Sequence, residues 1–458
     1  MPFSYHPPTQ IPCPICEEIA QNKPAPVIDS QNGKASAANN YPIHNWYNFV
    51  LGYTPAFPNY VLDRERVTPD CVVADPFMGT GTTLAACKLR GLPSLGVDAN
   101  DFFIDVAQAK LNWQIDIREL RRASEEVCGV VENIYRQINF GDNGKPLLDL
   151  LEYEYKISAT DYATINRPDL LDVRYMSDKP FTRAQVLKEV IEEKVKTPEI
   201  AKLLQLALAA IIVPISNIRY GPGFGVIKPK DDFNVLGLFR EKVSRIMLDL
   251  ETLPNDKREV STQTFLGNSR ELENVLPAES VDLMITSPPY PGDHEYTKHT
   301  RLELTFMRYV DTMKDFRHIK QRLMRSATTN IYRTDNEAQY VQDIARINAD
   351  TTLIEQRLRA SNATSGFEKL YTKLVWEYFG GMYLTLRGVH QTLRKGGKIY
   401  LLVSDSHAFK MVHIETAKIL AEIGLKAGFV SFDIELWQDK ISTSHKYHIP
   451  ENILILTK

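Results

Sequence analysis

Two short segments hold residues whose types and spacing suit chemistry on a ligand. The first is DPFMGTGTT, Asp75–Thr83, directly after the apolar, β-branched run Cys71–Ala74. Gly79 and Gly81 let the backbone turn tightly and approach a ligand without a side chain in the way. The helix that follows presents free N–H groups at its start. No Gly-Lys-Ser/Thr accompanies the glycines, so this is not a phosphate-gripping P-loop. The second segment is TSPPY, Thr286–Tyr290, directly after the apolar run Val281–Ile285. Two successive prolines, Pro288 and Pro289, fix φ and remove two N–H donors. The carbonyls of Ser287 and Pro288 are thereby free to face a ligand amino group. The Ser287 hydroxyl is a further acceptor for that amine. Tyr290 offers a flat face on which a base can stack.

These segments need strands to hold them. Cys71–Ala74 reads as a buried parallel strand, Leu84–Leu89 as the start of a helix, and Leu95–Val97 as a second strand ending at Asp98. Strand, Gly-rich turn, helix, strand and acid make one βαβ unit of a doubly wound α/β sheet. In such a sheet Asp98 stands where an acid binds ribose hydroxyls, or it caps the next helix. Further strands are read at Thr264–Leu266, Val281–Ile285 and, after the turn Lys395-Gly396-Gly397, at Lys398–Val403. Phe429–Trp437 and Asn452–Leu456 read as a closing antiparallel hairpin, giving a sheet of about seven strands.

The sheet is interrupted twice. The expected division is an arm over 1–40 and sheet-domain parts over 41–101, 261–290 and 374–458, with mainly helical inserts over 102–260 and 291–373. The amphipathic stretches in the first insert are Ile104–Ile138, Arg183–Lys196, Pro198–Val213 and Val235–Leu250. No internal repeat is visible.

The pair DPFMGTGTT and TSPPY resembles the DNA amino-methyltransferases, and the cytosine-N4 members most. The resemblance implies a Rossmann-like methyltransferase sheet with S-adenosylmethionine as cofactor and double-stranded DNA as substrate. It implies that Asp75, Pro76, Phe77, Gly79, Gly81 and Thr82 surround the methionine part of the cofactor and that Asp98 binds its ribose. Gly267–Leu272 (GNSREL) resembles the family's third motif, with Asn268 standing where Asp is usual and placed by that motif near the adenine. His44–Phe49 (HNWYNF) resembles the segment that packs over the methionine end. Ser287, Pro288, Pro289 and Tyr290 become the catalytic strand end, with the target base flipped out of the duplex. Here the cofactor motif precedes the catalytic one, whereas many cytosine-N4 enzymes have the reverse order. Ser287 favours cytosine, because adenine enzymes more often carry Asp or Asn at that position. Adenine-N6 methylation, RNA or protein-amide methylation and an inactive DNA-binding subunit are the alternatives. None of the five cysteines looks like the Pro-Cys nucleophile that cytosine-C5 enzymes carry on a strand end.

Composition sets the remaining expectations. The chain has 458 residues and a net charge of −3, which excludes a histone-like basic coat. DNA contacts must then come from local clusters. The candidates are Arg219 and Tyr220 with Lys228 and Lys230, and the run Lys320, Arg322 and Arg325; a solvated charged face is the plainer reading of each. Asp293, Glu295 and Tyr296, just after TSPPY, either shape the base pocket or cap the next helix. Cys13 and Cys16 form half of a zinc pattern with no second half in view, so no metal site is assigned. Few scattered cysteines and the polar, Pro-rich start point to a cytoplasmic protein. The run Leu203–Ile215 is too short to span a bilayer and reads as a buried helix. A cognate endonuclease or another defence protein is the partner that such an enzyme implies. The oligomeric state is left open.

Overall fold

The computed structural model describes residues 42–137, 167–220, 224–230, 232–292, 295–361, 365–441 and 447–458. The arm with Cys13 and Cys16, residues 221–223 and Asp293 lie outside the described residues. The chain opens with α1 (Ala56–Arg64), β1 (Val73–Asp75), α2 (Thr82–Leu89), β2 (Ser94–Asp98) and α3 (Asp101–Leu111). Next come α4 (Ile117–Gln137), α5 (Asp178–Lys194), α6 (Pro198–Ile215), the short hairpin β3 (Ile218–Tyr220) and β4 (Phe224–Val226), and α7 (Val235–Thr252). Two sheet strands follow, β5 (Thr262–Leu266) and β6 (Val281–Thr286), then α8 (Arg301–Phe306), α9 (Met313–Arg322) and α10 (Ala345–Ala360). The chain ends with α11 (Tyr371–Thr392), β7 (Leu393–Ser404), α12 (Thr416–Ala427), β8 (Ser431–Ile441) and β9 (His448–Thr457).

Seven strands form one sheet in the order β5-β2-β1-β6-β7-β9-β8. The first five are parallel, and β9 runs antiparallel between β7 and β8. The expected doubly wound sheet with its C-terminal antiparallel hairpin is therefore present. β1 is buried along its whole length, which is why it reads as an unbroken apolar run. From β1 the chain moves to β2 on one side and later to β6 on the other. That reversal opens a crevice at the carboxyl ends of the strands, where such sheets bind ligands. It also sets the ends of β1 and β6 side by side, although Asp75 and Thr286 are 211 residues apart in sequence.

Three expectations need correction. The stretch Ile104–Ile138 is two helices rather than one. The Trp113 indole N–H donates to the Lys110 carbonyl at 2.8 Å, and the Asp116 carboxylate accepts from the Arg118 N–H at 2.9 Å. The first contact closes α3 and the second opens α4. Moreover, α3 packs on β2 and β5, so residues 101–111 belong to the layer covering the sheet. Finally, Lys395-Gly396-Gly397 is no terminal turn but a bulge inside β7. The register with β6 jumps from Val281↔Leu393 to Leu283↔Lys398, with Gly396 at φ 78°.

The two inserts are not separate bodies. One apolar cluster joins α4, α5, α6 and α7 of the first insert to Leu302, Leu304, Phe306, Phe316 and Ile319 of the second. At its centre α6 buries Leu204, Ala207, Leu208, Ile212 and Ile215 completely, as expected of a core helix. The later part of the second insert, with Ile347 and Ile354 on α10, joins the cluster under α11, β7 and α12 instead.

Candidate active site

The Gly-rich loop is held by the strand beside it. The Met78 N–H donates to the Val97 carbonyl (3.0 Å) and the Gly79 N–H to the Asp98 carboxylate (2.9 Å). Gly79 and Gly81 both have positive φ, 50° and 79°. They serve different ends. A Cβ at Gly81 would come within 3.2 Å of Ala107, so this glycine lets α2 lie close to α3. A Cβ at Gly79 would meet nothing within 4 Å, so this glycine faces open space. Asp98 gives its second oxygen to the Asn100 N–H at 2.9 Å. The cap of α3 is Asn100, whose side chain accepts from the Phe102 N–H at 3.2 Å. That corrects the capping alternative for Asp98 and leaves its carboxylate facing the crevice.

A polar knot ties this loop to the end of β6. Asp75 is fully buried. Its carboxylate accepts from the Thr286 hydroxyl (2.6 Å), the Phe77 N–H (3.0 Å) and the Tyr53 hydroxyl (2.7 Å). Thr83 touches Tyr53 and donates to the Ile285 carbonyl. Asp75 therefore fixes the two strand ends relative to each other. Burial pushes its carboxyl up, and the surrounding hydrogen bonds pull it back down.

At the end of β6 the Ser287 hydroxyl donates to the Leu402 carbonyl at 3.1 Å and lies 3.1 Å from the Tyr290 hydroxyl. Tyr290 donates in turn to Glu451 at 2.9 Å. Burial and the Glu451 carboxylate push the Tyr290 phenol well up, which keeps it protonated. Tyr290 is thus tethered by its hydroxyl, and only its ring is left for stacking.

These pieces converge on one cavity. Its floor is Pro76–Thr80, Thr82, Asp98–Asn100, Gly267 and Ser269, and Ser287 and Pro289 form one side. Phe49, Leu51 and Tyr53 cover it from the segment before α1, and Arg322, Leu323 and Met324 from the end of α9. Tyr296 also lines it. Asn268 does not: its side chain accepts from the Arg270 N–H at 3.1 Å and lines a neighbouring groove. His44, Asn45 and Tyr47 line a different cleft, and Trp46 is buried. The free space is about 80 Å³, below the roughly 300–1,000 Å³ of small-molecule sites. In chemistry the lining fits S-adenosylmethionine: an acid for ribose hydroxyls, apolar and aromatic walls, and open space at Gly79.

Asp98 gives this site a pH dependence. Burial is the main cause that pushes its carboxyl up to about 6 from 3.8. A carboxylate accepts from two ribose hydroxyls, whereas the protonated acid loses an acceptor. Cofactor affinity is expected to fall as pH drops through about 6, as measured by calorimetry between pH 5 and 8. Folding stability moves the opposite way. A folded-state value raised above the unfolded one adds stability below 3.8, and that gain is lost as pH rises through 6.

The basic candidates separate. Arg219 and Lys228 are exposed, while Lys230 is half-buried, with its ammonium on the Pro214 carbonyl at 2.5 Å. Tyr220 turns inward, its ring 5.5 Å from His299 and its hydroxyl beside Glu303, and burial pushes the Glu303 carboxyl up to about 7. In the second run, Arg325 is only 5% exposed. It holds Asp335 with two bonds (2.9 and 3.1 Å) and three backbone carbonyls. Lys320 pairs with buried Glu295 at 3.0 Å, and Arg322 with Asp101 at 2.5 Å. Lys320 and Arg325 are therefore held as internal scaffolding, and the expectation that Arg325 meets DNA is corrected by its burial, whereas the Arg322–Asp101 pair stays partly exposed beside the cavity. Sequence reasoning missed Lys242 and Arg245, which join Arg219 and Lys230 around a cleft of about 1070 Å³. That cleft reaches Thr80 and Thr82 of the Gly-rich loop. It also missed Leu323, Met324 and Glu451, whose types carry no signal without a fold. Glu295 is an ion-pair hub, and Tyr296 is part of the pocket wall.

The sheet order, the acid at the end of β2 and the two strand-end motifs around one cavity define a Rossmann-like methyltransferase fold. Residues 58–109, from α1 through the Gly-rich loop and Asp98 to α3, match the N6/N4 family model described as DNA methylase. The chain is similar to the type II methyltransferase M.BsoBI of Geobacillus stearothermophilus. Identity there is 25% over 292 residues, 59% of this chain and 54% of the relative. It is also similar to the type II methyltransferase M.AvaI of a Nostoc species, at 21% over 411 residues, 85% of this chain and 79% of that one. The type II methyltransferase M.MjaII of Methanocaldococcus jannaschii matches at 27% over 121 residues, 26% of this chain and 22% of the relative. The chain thus spans about half the length of the first of these relatives and about a fifth of the last. The family-model match and these type II methyltransferase relatives support an amino-methyltransferase family for this chain.

Proposed function

We propose that this protein is a site-specific DNA methyltransferase that methylates the exocyclic N4 amine of a flipped-out cytosine, in a restriction-modification or related defence system. The observation that carries the reading is the Ser287 hydroxyl at the end of β6, lining the same cavity as the Gly79 turn and Asp98. The relatives' printed names, type II methyltransferases, support DNA as the substrate.

The residues divide the work. Asp98, Phe77, Gly79 and Thr82 hold the cofactor, and S-adenosylmethionine supplies the electrophilic methyl group when bound. An exocyclic amine is a poor nucleophile because its lone pair is delocalised into the ring. The Ser287 hydroxyl oxygen and the Ser287–Pro288 carbonyls accept its hydrogens and localise that lone pair. The Asp75 knot holds both strand ends at one separation, so the reacting groups meet at near-attack distance. The Tyr290 ring stacks on the extruded base. Exposed Arg219 and Lys228, with Lys242 and Arg245 around the large cleft, meet the phosphates. Breaking a base pair is the cost of reaching an amine that pairing would otherwise hide.

Incubation of the protein with unmethylated duplex DNA and labelled cofactor, followed by nucleoside mass spectrometry, is expected to yield N4-methylcytosine. N6-methyladenine would reassign the target base and keep the fold and strand-end chemistry. Absence of any methylated nucleoside would reject the proposed activity. Sequencing of the product would then give the recognition site, and co-purification would reveal any endonuclease partner.

A further inference from the structure

Beside the catalytic strand end lies a buried acid that the reading above does not use. Glu451 sits on β9, 4% exposed, opposite Ser404 of β7 and Gln438 of β8. One carboxylate oxygen accepts from the Tyr290 hydroxyl at 2.9 Å and from the Lys440 ammonium at 2.8 Å. The other accepts from the Gln438 amide. The β8–β9 register shifts between Leu436 and Gln438. Beyond that bulge Gln438 and Lys440, two residues apart, both reach the same carboxylate. A buried carboxylate is unfavourable unless its lone pairs are satisfied, and this one is satisfied by three donors. One of them belongs to the catalytic segment.

The direction of the bonds matters. Tyr290 donates to Glu451, so the Tyr290 oxygen is free to accept. The nearest hydroxyl is Ser287, 3.1 Å away. Ser287 has one hydrogen and two acceptors within reach, the Leu402 carbonyl and the Tyr290 oxygen. A continuous path therefore runs from the atom that faces the substrate amine to a buried anion. Each bond in such a chain polarises the next.

We propose that Glu451 is a positioning residue for methyl transfer, acting through Tyr290 on Ser287 to draw the proton from the target amine. The proposal rests on the amino-methyltransferase reading of Ser287. As the amine lone pair forms the new N–C bond, the S–C bond breaks and its electron pair stays on sulfur, cancelling the sulfonium charge. The amine must then lose one proton. That proton passes to the Ser287 oxygen as the Ser287 proton moves to the Tyr290 oxygen and the Tyr290 proton to Glu451. Glu451 returns it to water after release of the product. Lys440 holds the carboxylate in place and offers no lone pair while protonated. Ser287 alone would have to keep the proton, whereas the relay moves it to a carboxylate.

The test uses the full chain in single-turnover assays on unmethylated duplex DNA. Glu451→Gln keeps the volume and an oxygen for Tyr290 but cannot take up the proton. It is expected to slow methyl transfer about 100-fold, with DNA and cofactor affinities measured without turnover unchanged. Tyr290→Phe is expected to slow it to a similar degree, and the double variant no further. The same cycle read as thermal midpoints is expected to be non-additive, because it reports the Tyr290–Glu451 bond without any turnover. Wild-type turnover in Glu451→Gln, or rate losses that multiply in the double variant, would overturn the relay while leaving the methyltransferase assignment standing. Rate loss accompanied by equal loss of cofactor affinity would also overturn it, making Glu451 a structural support of the hairpin. A wild-type protein that yields no methylated nucleoside overturns the functional reading itself.

Discussion

Replacing Ser287 and Pro288 together by alanine is expected to abolish methyl transfer while leaving cofactor binding measurable by calorimetry. The Ser287 oxygen is the acceptor proposed to meet the amine in the transition state. Alanine at 288 restores a backbone N–H and frees φ, so the carbonyl of Ser287 is no longer held in one direction. Loss of one fixed transition-state partner typically costs about 10²–10³-fold in rate, and here two are disturbed. The cofactor contacts proposed for Gly79 and Asp98 lie on the β1–β2 side of the cavity and are untouched. Cofactor affinity should therefore persist, and it also reports that the variant is folded. Undiminished turnover would show that the strand end at Thr286–Tyr290 is not where the reaction happens.

Gly79→Val is expected to destroy cofactor binding. Two effects act together. Gly79 has φ 50°, which a β-branched residue adopts only with strain. Its missing side chain also leaves space in which a Cβ meets nothing within 4 Å, the room a ligand would use. The strain is also expected to weaken the bond from the Gly79 N–H to Asp98. Calorimetric titration with cofactor should show no heat of binding, while circular dichroism retains the folded signal because the site opens on a cavity rather than on packed core. Unchanged affinity would place the cofactor elsewhere.

Much of the catalytic layer was legible in the chain because its signals are local. The run before Asp75 is buried on both sides, so it reads as a strand without any partner in view. Gly79, Gly81 and the paired prolines impose backbone geometry wherever they occur. The helical boundaries were less legible. The break between α3 and α4 depends on Trp113 and Asp116 capping two helix ends, and those contacts interrupt an otherwise continuous amphipathic pattern. The surroundings of the basic run over Lys320, Arg322 and Arg325 were hidden for a related reason. A charge count sees three cations, but Glu295, Asp101 and Asp335 that neutralise them come from three other places in the chain.

By itself the sequence determined the class of sheet, the two strand ends proposed to carry the chemistry and the family that the Gly-rich turn resembles. Those features follow from backbone restrictions and burial patterns a few residues long. Only the tertiary structure decided which distant groups complete the site. It brought Asp75 under Thr286, laid Leu323 and Met324 over the cavity and set Glu451 behind Tyr290. It also fused the two inserts through one apolar core. The physical reason is common to all of these. Hydrogen bonds, ion pairs and packing act between neighbours in space, and folding makes neighbours of residues that the sequence keeps far apart.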